Sequence, residues 1–270
     1  MDAKTVGDLF TRDRRSDRSV LEDATGRSYD YHWVCTSTWK AGNFLRHAGI
    51  RNGVTVGIVG DGPLTLLSFF GAALLEGATR FDPPRDLADA TDLRALVGPI
   101  GVLEEYDLPR GAQHVGYGGK PTDPAVHHLD AGLWSENPSF PPLEIDPDTS
   151  LLTDGERFLT HGEALEAATE IGAEWGLDEE SRVAIESPLA STLADPRVAV
   201  AGVLAPLVVG GTIVLVEPVE ADETGEVEGP DDPGPTLDRD VDLTVGCERL
   251  GVDRLEVDDL EVEFGWESEQ

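Results

Sequence analysis

The sequence predicts an α/β fold of mostly parallel sheets with helices on both faces. Between residues 54 and 105, buried strand-like runs alternate with helical patterns about every 25 residues, which is typical of right-handed β-α-β crossovers. The alternation returns between residues 150 and 217. With 270 residues, 40% of them hydrophobic, the chain is long enough to bury a sizeable core.

The first fifty residues predict a short helix, a β-hairpin and a longer helix. The short helix is Val6 to Phe10, and the hairpin starts with a strand at Ser19 to Glu22 and turns at Asp23 to Gly26. Apolar residues at helical spacing follow, and Gly49 closes that helix.

The middle of the chain predicts a strand in GVTVGIVGDG, an apolar helix in LTLLSFFGAALLEGA and a strand in ATRFD. A helix capped by Asp86 or Asp89 is expected over 86–97, and a strand over 100–105. Residues 106–148 are irregular, with weak strand signals at 113–115 and 126–129. After residue 175, strands are expected in SRVAIES and GGTIVLVEP, with a helix from Pro196 to Val209 between them.

The stretch from Ser150 to Glu170 predicts a strand, a tight turn at Asp154-Gly155 and a helix from Thr160. A strand, a glycine turn and a helix N-terminus together favour phosphate binding, because free backbone N–H groups and the helix dipole converge on one point. The helix continues to Trp175.

Acidic residues dominate the composition, with 53 acidic against 20 basic residues and a net charge of −33. The acids are spread along the whole chain, and only three lysines occur. Such a surface is typical of proteins adapted to molar salt, where charges are screened within ~3 Å. The sequence therefore predicts a haloarchaeal cytoplasmic protein; a mimic of nucleic acid or a cation-binding protein is the alternative. No basic patch is evident, which argues against binding to DNA, RNA or anionic membranes.

Cysteine, histidine and targeting patterns exclude several classes of protein. Cys35 and Cys247 belong to no CxxC pair, so neither a disulfide scaffold nor a thiolate zinc site is expected. His127 and His128 are neighbours in an extended segment and point opposite ways, so no metal site is predicted there. The N-terminus has no apolar signal region, and no run approaches ~18 apolar residues.

The last 53 residues predict a linker followed by a short β segment. Residues 218–240 are acidic and rich in proline and glycine, which favours a disordered linker. Residues 241–270 contain two short alternating runs that predict a terminal hairpin or an edge strand. The domain organisation expected is thus a domain at 5–217, with subregions of about 5–148 and 149–217, the linker, and a short β segment.

Three segments, in this order, carry a resemblance to a known family. They are GDLFTRDRRSDRSVLEDATGRSYDYHWVCTSTWKAGNFLRHAGIRNGVTVGIVGDGPLTLLSFFGAALLEGAT, LTHGEALEAATEIGAEWGL and AGVLAPLVVGGTIVLVEP. Their order and spacing resemble the N-terminal part of the AMP-binding, adenylate-forming acyl-CoA synthetases over roughly residues 5 to 217. The resemblance implies the N-terminal subdomains of an AMP-forming acyl-CoA ligase, with ATP and Mg²⁺ as cofactors if the family function is retained.

The phosphate loop is where this sequence departs from the family. The family loop reads T-S-G-T-T-G-x-P-K-G, and its hydroxyls, glycine amides and lysine wrap the ATP phosphates. The span TDGERFL lacks the hydroxyl pair, the second glycine and the lysine, and it introduces the carboxylates of Asp154 and Glu156. The resemblance therefore implies at most a residual phosphate loop made of Thr153, Asp154, Gly155, Arg157 and Thr160; a plain strand-to-helix turn is the alternative.

The two residues at the start of the following helix have simpler expected roles. Thr160 and Glu163 have the spacing of a capping box. His161 is expected to be a surface or capping residue of that helix. No catalytic residue is predicted.

The family's later motifs have no counterpart after Val219. These are the Tyr-Gly-x-Thr-Glu segment that holds the adenine and Mg²⁺, the ribose-binding aspartate and the C-terminal domain with its catalytic lysine. The sequence therefore predicts a truncated, catalytically degenerate relative of acyl-CoA synthetases that binds or partners another protein, such as an intact synthetase. An active ligase component completed in trans by another chain is one alternative, and a structural interaction protein is the other.

Overall fold

The structure of the protein is a computed structural model that describes residues 3–141, 144–217, 243–245 and 254–255. The strands are β1 Ser19–Glu22, β2 Ser28–Asp30, β3 Thr55–Ile58, β4 Ala78–Phe81, β5 Leu93–Pro99, β6 Gln113–Tyr117, β7 His127–His128, β8 Ser150–Thr153, β9 Phe158–Thr160, β10 Arg182–Glu186, β11 Thr212–Val216, β12 Leu243–Val245 and β13 Arg254–Leu255. The α-helices are α1 Val6–Leu9, α2 Tyr31–His47, α3 Pro63–Ala73, α4 Ile100–Leu103, α5 Leu129–Ser135, α6 His161–Glu174, α7 Leu189–Thr192, α8 Pro196–Val198 and α9 Ala205–Val209. A 3₁₀ turn covers Arg12–Arg14, and a π-helical segment, Ala199–Leu204, links α8 to α9. None of the helices in these ranges has the length and apolar character that a membrane span requires.

The described strands form two sheets. One is six-stranded, in the order β13-β12-β10-β11-β1-β2, and the other is seven-stranded, in the order β7-β6-β5-β3-β4-β8-β9. All pairings are parallel except the two hairpins, β1–β2 and β8–β9. This architecture confirms the predicted fold class.

The two sheets exchange segments along the chain. The N-terminal hairpin joins the six-stranded sheet, where Leu21 pairs with Ile213, nearly 200 residues later. An ion pair fixes this arrangement: the Arg182 guanidinium donates to both carboxylate oxygens of Glu22 at 2.8 and 2.7 Å across the intervening strand β11. The expected subregions of about 5–148 and 149–217 therefore do not coincide with the sheets, and that domain division stays a prediction.

Two helix pairs join the sheets to each other. Helix α2 contacts β1 and β2 of the six-stranded sheet and packs along α3, which lies on β3 and β4 of the other sheet. Helices α6 and α9 make the second connection, from β8 and β9 to β11. At the α2–α3 crossing the backbones approach so closely that a Cβ added to Gly71 would lie 2.8 Å from the Gly42 nitrogen. One continuous hydrophobic core therefore runs through both sheets.

Two elements in the middle of the chain were predicted wrongly. Residues 86–97, predicted as a helix, contain β5, because the apolar run LRALV is needed between β3 and β6. A short apolar run of this kind does not distinguish a buried strand from a buried helix by periodicity. Residues 100–105, predicted as a strand, begin with α4 instead. The weak strand signals near residues 113 and 127 were real, and correspond to β6 and β7.

The Asp154-Gly155 turn does not lead directly into a helix. It leads into β9, which runs back along β8, so that Thr153 pairs with Phe158 near the turn and Ser150 pairs with Thr160 at the far end. The predicted strand-turn-helix is therefore a β-hairpin followed by a helix.

The expected linker 218–240 lies outside the described residues. Strands β12 and β13 beyond it are parallel to β10 and to each other, at the edge of the six-stranded sheet. Residues 243–245 and 254–255 thus pair as parallel strands, and the rest of 241–270 lies outside the described residues.

We expect Gly71→Ala to destabilise the protein. The added methyl group meets the backbone of α2, and such overpacking costs about 1–3 kcal/mol. Alanine returns about 1 kcal/mol of helix propensity, so the free energy of unfolding should fall by about 1 kcal/mol in denaturant titrations. The matched control is Gly101→Ala in α4, where an added Cβ has no neighbour within 4 Å. That variant should be neutral or slightly more stable; equal losses in both variants would refute the close approach.

Candidate functional site

The turn between β8 and β9 keeps its backbone donors occupied. The Gly155 amide donates to Thr153 Oγ1 at 2.9 Å, and the amides of Glu156 and Arg157 both donate to Asp154 Oδ1 at 2.8 Å. Thr153 Oγ1 in turn donates to the Arg157 carbonyl at 2.7 Å. The Asp154 carboxylate therefore takes the position in which a bound anion would accept these hydrogen bonds.

The charges at the turn are also arranged around Asp154. Its Oδ2 accepts from Arg157 Nη2 at 3.1 Å and from Nε at 3.3 Å. Partial burial raises the pKa of Asp154, whereas the hydrogen bonds from the two amides and from the Arg157 side chain lower it. The net effect is a pKa below the ordinary value for an aspartate. The carboxylate therefore stays ionised, and Arg157 is engaged in neutralising it.

A second arginine lies against the turn. Gly155 has φ +99°, and a Cβ added there would lie 2.4 Å from the Arg80 guanidinium carbon. Arg80 belongs to β4, which pairs with β8. Sequence reasoning missed this residue, because only the sheet order brings residue 80 beside residue 155.

The start of α6 is separate from the turn. Thr160 lies at the opposite end of β9, about 7 Å from the turn at the usual rise per residue. Thr160 and Glu163 form the predicted capping box, with reciprocal bonds of 3.2 and 2.8 Å. The next two amides, of His161 and Gly162, donate to the carbonyls of Thr149 and Pro147. The structure thus brings Thr153, Asp154, Gly155 and Arg157 together and leaves Thr160 apart, so turn and helix N-terminus do not converge.

The crevice expected from the sheet topology is filled. In the seven-stranded sheet the direction of the connections changes between β3 and β5, and ligands of α/β proteins bind at the carboxyl ends of such strands. Here Tyr117 Oη donates to the Val59 carbonyl at 3.2 Å and is 3.1 Å from Thr65 Oγ1. Burial raises the pKa of Tyr117 to about 12. A Cβ on Gly60 would lie 2.6 Å from that hydroxyl, so the space is packed.

His127 and His128 each lie beside a polar or acidic side chain, and Cys35 is buried. His127 Nε2 is 3.2 Å from the Gln113 side-chain oxygen, and His128 Nε2 is 3.5 Å from Asp130. Within the described ranges, no three histidine, cysteine or acidic side chains cluster in a way that would hold a metal ion. Burial raises the pKa of Cys35 to about 11, so its thiol stays protonated. Cys247 lies outside the described residues.

Comparison with known proteins gives matches in structure only. Neither the protein-family models nor the curated protein sequences yield a match to this chain. Among solved structures, the anthranilate CoA ligase AuaEII in complex with anthranoyl-AMP aligns with a TM-score of 0.65 and 17% identity, over 78% of this chain and 44% of the ligase. The N-terminal domain of FACL13 from Mycobacterium tuberculosis gives 0.61 and 17%, over 82% and 58%.

The nonribosomal peptide synthetase FmoA3, in its AMPPNP-bound form, aligns with a TM-score of 0.64 and 19% identity, over 82% of this chain and 23% of the synthetase. These alignments agree on one architecture. This chain has the fold of the N-terminal part of adenylate-forming ligases. It spans 44% of the anthranilate CoA ligase and 58% of the FACL13 N-terminal domain.

Within the adenylate-forming fold, the β8–β9 turn stands where the resemblance places the phosphate loop. The turn in its present conformation does not fit a chain of phosphates, because Asp154 holds two of its amides and Thr153 holds the third. ATP and Mg²⁺ therefore find no prepared cradle in these residues.

His161 is a buried structural residue, and its predicted place on the surface was wrong. Its side chain is 0% exposed, and its Nδ1 accepts from the Val6 amide at 3.2 Å, which ties α6 to α1. Burial lowers its pKa to about 4, although the charge of Asp8 opposes this. The imidazole is therefore neutral, with the proton on Nε2.

This pKa predicts a defined loss of stability in acid. As pH falls from 6.5 to about 4, the unfolded chain takes up a proton at residue 161 that the folded protein does not bind. The free energy of unfolding should therefore fall by about 3 kcal/mol across this window from this group alone. His161→Asn keeps an acceptor for the Val6 amide and removes the titration, so its stability should decline less steeply in urea unfolding between these pH values. Parallel curves for the two proteins would contradict the assignment.

Proposed function

We propose that this chain is a catalytically degenerate relative of the AMP-forming acyl-CoA ligases that acts as a binding or partner protein in the cytoplasm of a halophile. The observation that carries the proposal is the position of Asp154 Oδ1, which accepts from the Glu156 and Arg157 amides at 2.8 Å. A ligase of this fold needs such amides free for the phosphates of ATP.

Admitting a triphosphate to this turn is energetically unfavourable. The ligand would have to break the bonds from the Glu156 and Arg157 amides and the ion pair of Arg157 with Asp154. It would also face the carboxylates of Asp154 and Glu156. Each charged hydrogen bond lost costs about 1.5–3 kcal/mol. The guanidinium of Arg80 does not offset these losses, because a single positive charge cannot neutralise the several negative charges of a triphosphate.

The remaining surface suits a protein partner more than a polyanion. A net charge of −33 repels nucleic acid and keeps a protein dispersed in molar salt. An intact synthetase is the partner that the shared fold suggests. A ligase component completed in trans is the second candidate, favoured by the 78% and 82% of the chain that align with adenylate-bound and nucleotide-bound structures.

We expect the purified chain to catalyse no ATP–pyrophosphate exchange with any of a panel of carboxylic acids in molar KCl. The assay reports adenylate formation itself, so binding of ATP elsewhere on the protein does not register. An active acyl-CoA ligase in the same buffer serves as the positive control.

Acid-dependent exchange by the chain alone would overturn the proposal if Thr153→Val abolishes it. That variant is close to isosteric and removes the hydroxyl that accepts from the Gly155 amide; circular dichroism shows whether it is folded. Exchange that appears only after addition of a separately purified C-terminal half of an acyl-CoA ligase would replace the first candidate with the second.

A further inference from the structure

Three arginines line one cavity at the end of the seven-stranded sheet where strands β3, β5 and β6 begin. The cavity has a volume of about 590 Å³, and Arg51, Arg94 and Arg110 lie on its wall. Arg51 lies in the connection before β3, Arg94 lies in β5, and Arg110 lies in the connection before β6. The β8–β9 turn does not contribute to this cavity.

Arg94 is held in place from two sides. Its Nη1 donates to the Gly111 carbonyl at 2.9 Å, which fixes the turn that carries Arg110. On the other side the guanidinium lies on Gly49, where an added Cβ would be 2.4 Å from Nε. Arg94 Nε has no hydrogen-bond partner in the described part of the chain. The cation is thus positioned by backbone, not by a carboxylate.

The charges of these arginines are not neutralised locally. Arg18, Arg85 and Arg182 each have a carboxylate partner, whereas among the described residues none of the three cavity arginines has one. Asp92 also lines the cavity, and its carboxylate accepts from Thr55 Oγ1. Three arginines and one aspartate leave a net charge of +2 on the wall.

We propose that this arginine cavity binds a phosphate dianion, either free or carried by a small molecule. A wall charge of +2 matches a phosphate group above its second pKa of about 6, and guanidinium groups are the preferred donors to phosphate. The volume of about 590 Å³ lies within the range of small-molecule sites. A nucleic acid is not the expected ligand, because the chain as a whole carries a net charge of −33.

The test is calorimetric titration of the full chain with ribose 5-phosphate at pH 8 in molar KCl, with ribose as the matched compound that lacks the phosphate. Ribose 5-phosphate should bind and ribose should not. Arg51→Gln and Arg110→Gln should each weaken binding about tenfold, since each removes one charged contact from an exposed position. Arg12→Gln, which removes an exposed arginine outside this cavity, should bind as the unmodified protein does.

Titration with inorganic phosphate distinguishes the two sources of the anion. Binding as tight as that of ribose 5-phosphate indicates a site for the free ion, and weaker binding indicates that the carrier is also recognised. Absence of binding by both phosphates, or equal affinity in the Arg51→Gln/Arg110→Gln double variant, would overturn the proposal. Neither result bears on the proposed loss of ligase chemistry, which the exchange assay measures at the other site.

Discussion

The close packing of α2 on α3 is the constraint on which the rest of the structure depends. Helix α2 lies on the six-stranded sheet and α3 lies on the seven-stranded sheet. The close approach of Gly42 to Gly71 therefore sets the distance between the two sheets. The α6–α9 pair forms a second connection between the two sheets. The hydrogen bond from the Val6 amide to His161 Nδ1 anchors α1 to α6. With both connections in place, each hairpin pairs with a strand that is distant in sequence: β1 pairs with β11, and β8 pairs with β4. The β8–β9 turn is therefore held by a rigid frame, and its chemistry is decided by its own few residues.

At that turn, the side chain of Asp154 occupies two of the backbone donors. A turn of this kind presents successive amides to an anion, and Asp154 supplies the anion from within the chain. Thr153 satisfies the remaining amide, and Arg157 neutralises the carboxylate. The result is a self-contained turn whose hydrogen bonds support the hairpin. The fold of the N-terminal part of adenylate-forming ligases surrounds it, as the alignments with 17–19% identity indicate.

Elements that depend on a local sequence pattern could be predicted from the sequence. The apolar runs of β3, β10 and β11, the long helix α2, and the Thr160–Glu163 capping box were all predictable, because each depends on neighbours within a few residues. Strand β5 was not, since its run of five residues reads equally as a helix until its place between β3 and β6 is known. The same limit applies to sites. Arg80 at the turn, and the cavity of Arg51, Arg94 and Arg110, are assembled by sheet order from residues that carry no shared pattern.

The proposed loss of ligase chemistry depends on the occupied amides of the β8–β9 turn, and amide hydrogen exchange measured by NMR tests their occupancy most directly. In the ligand-free protein, the amides of Gly155, Glu156 and Arg157 should all be protected. In Asp154→Ala, Glu156 and Arg157 should lose protection while Gly155 keeps it through Thr153, and Mg²⁺–ATP should leave the native pattern unchanged. Unprotected amides at Glu156 and Arg157 in the native protein, which become protected only when Mg²⁺–ATP is added, would contradict the account.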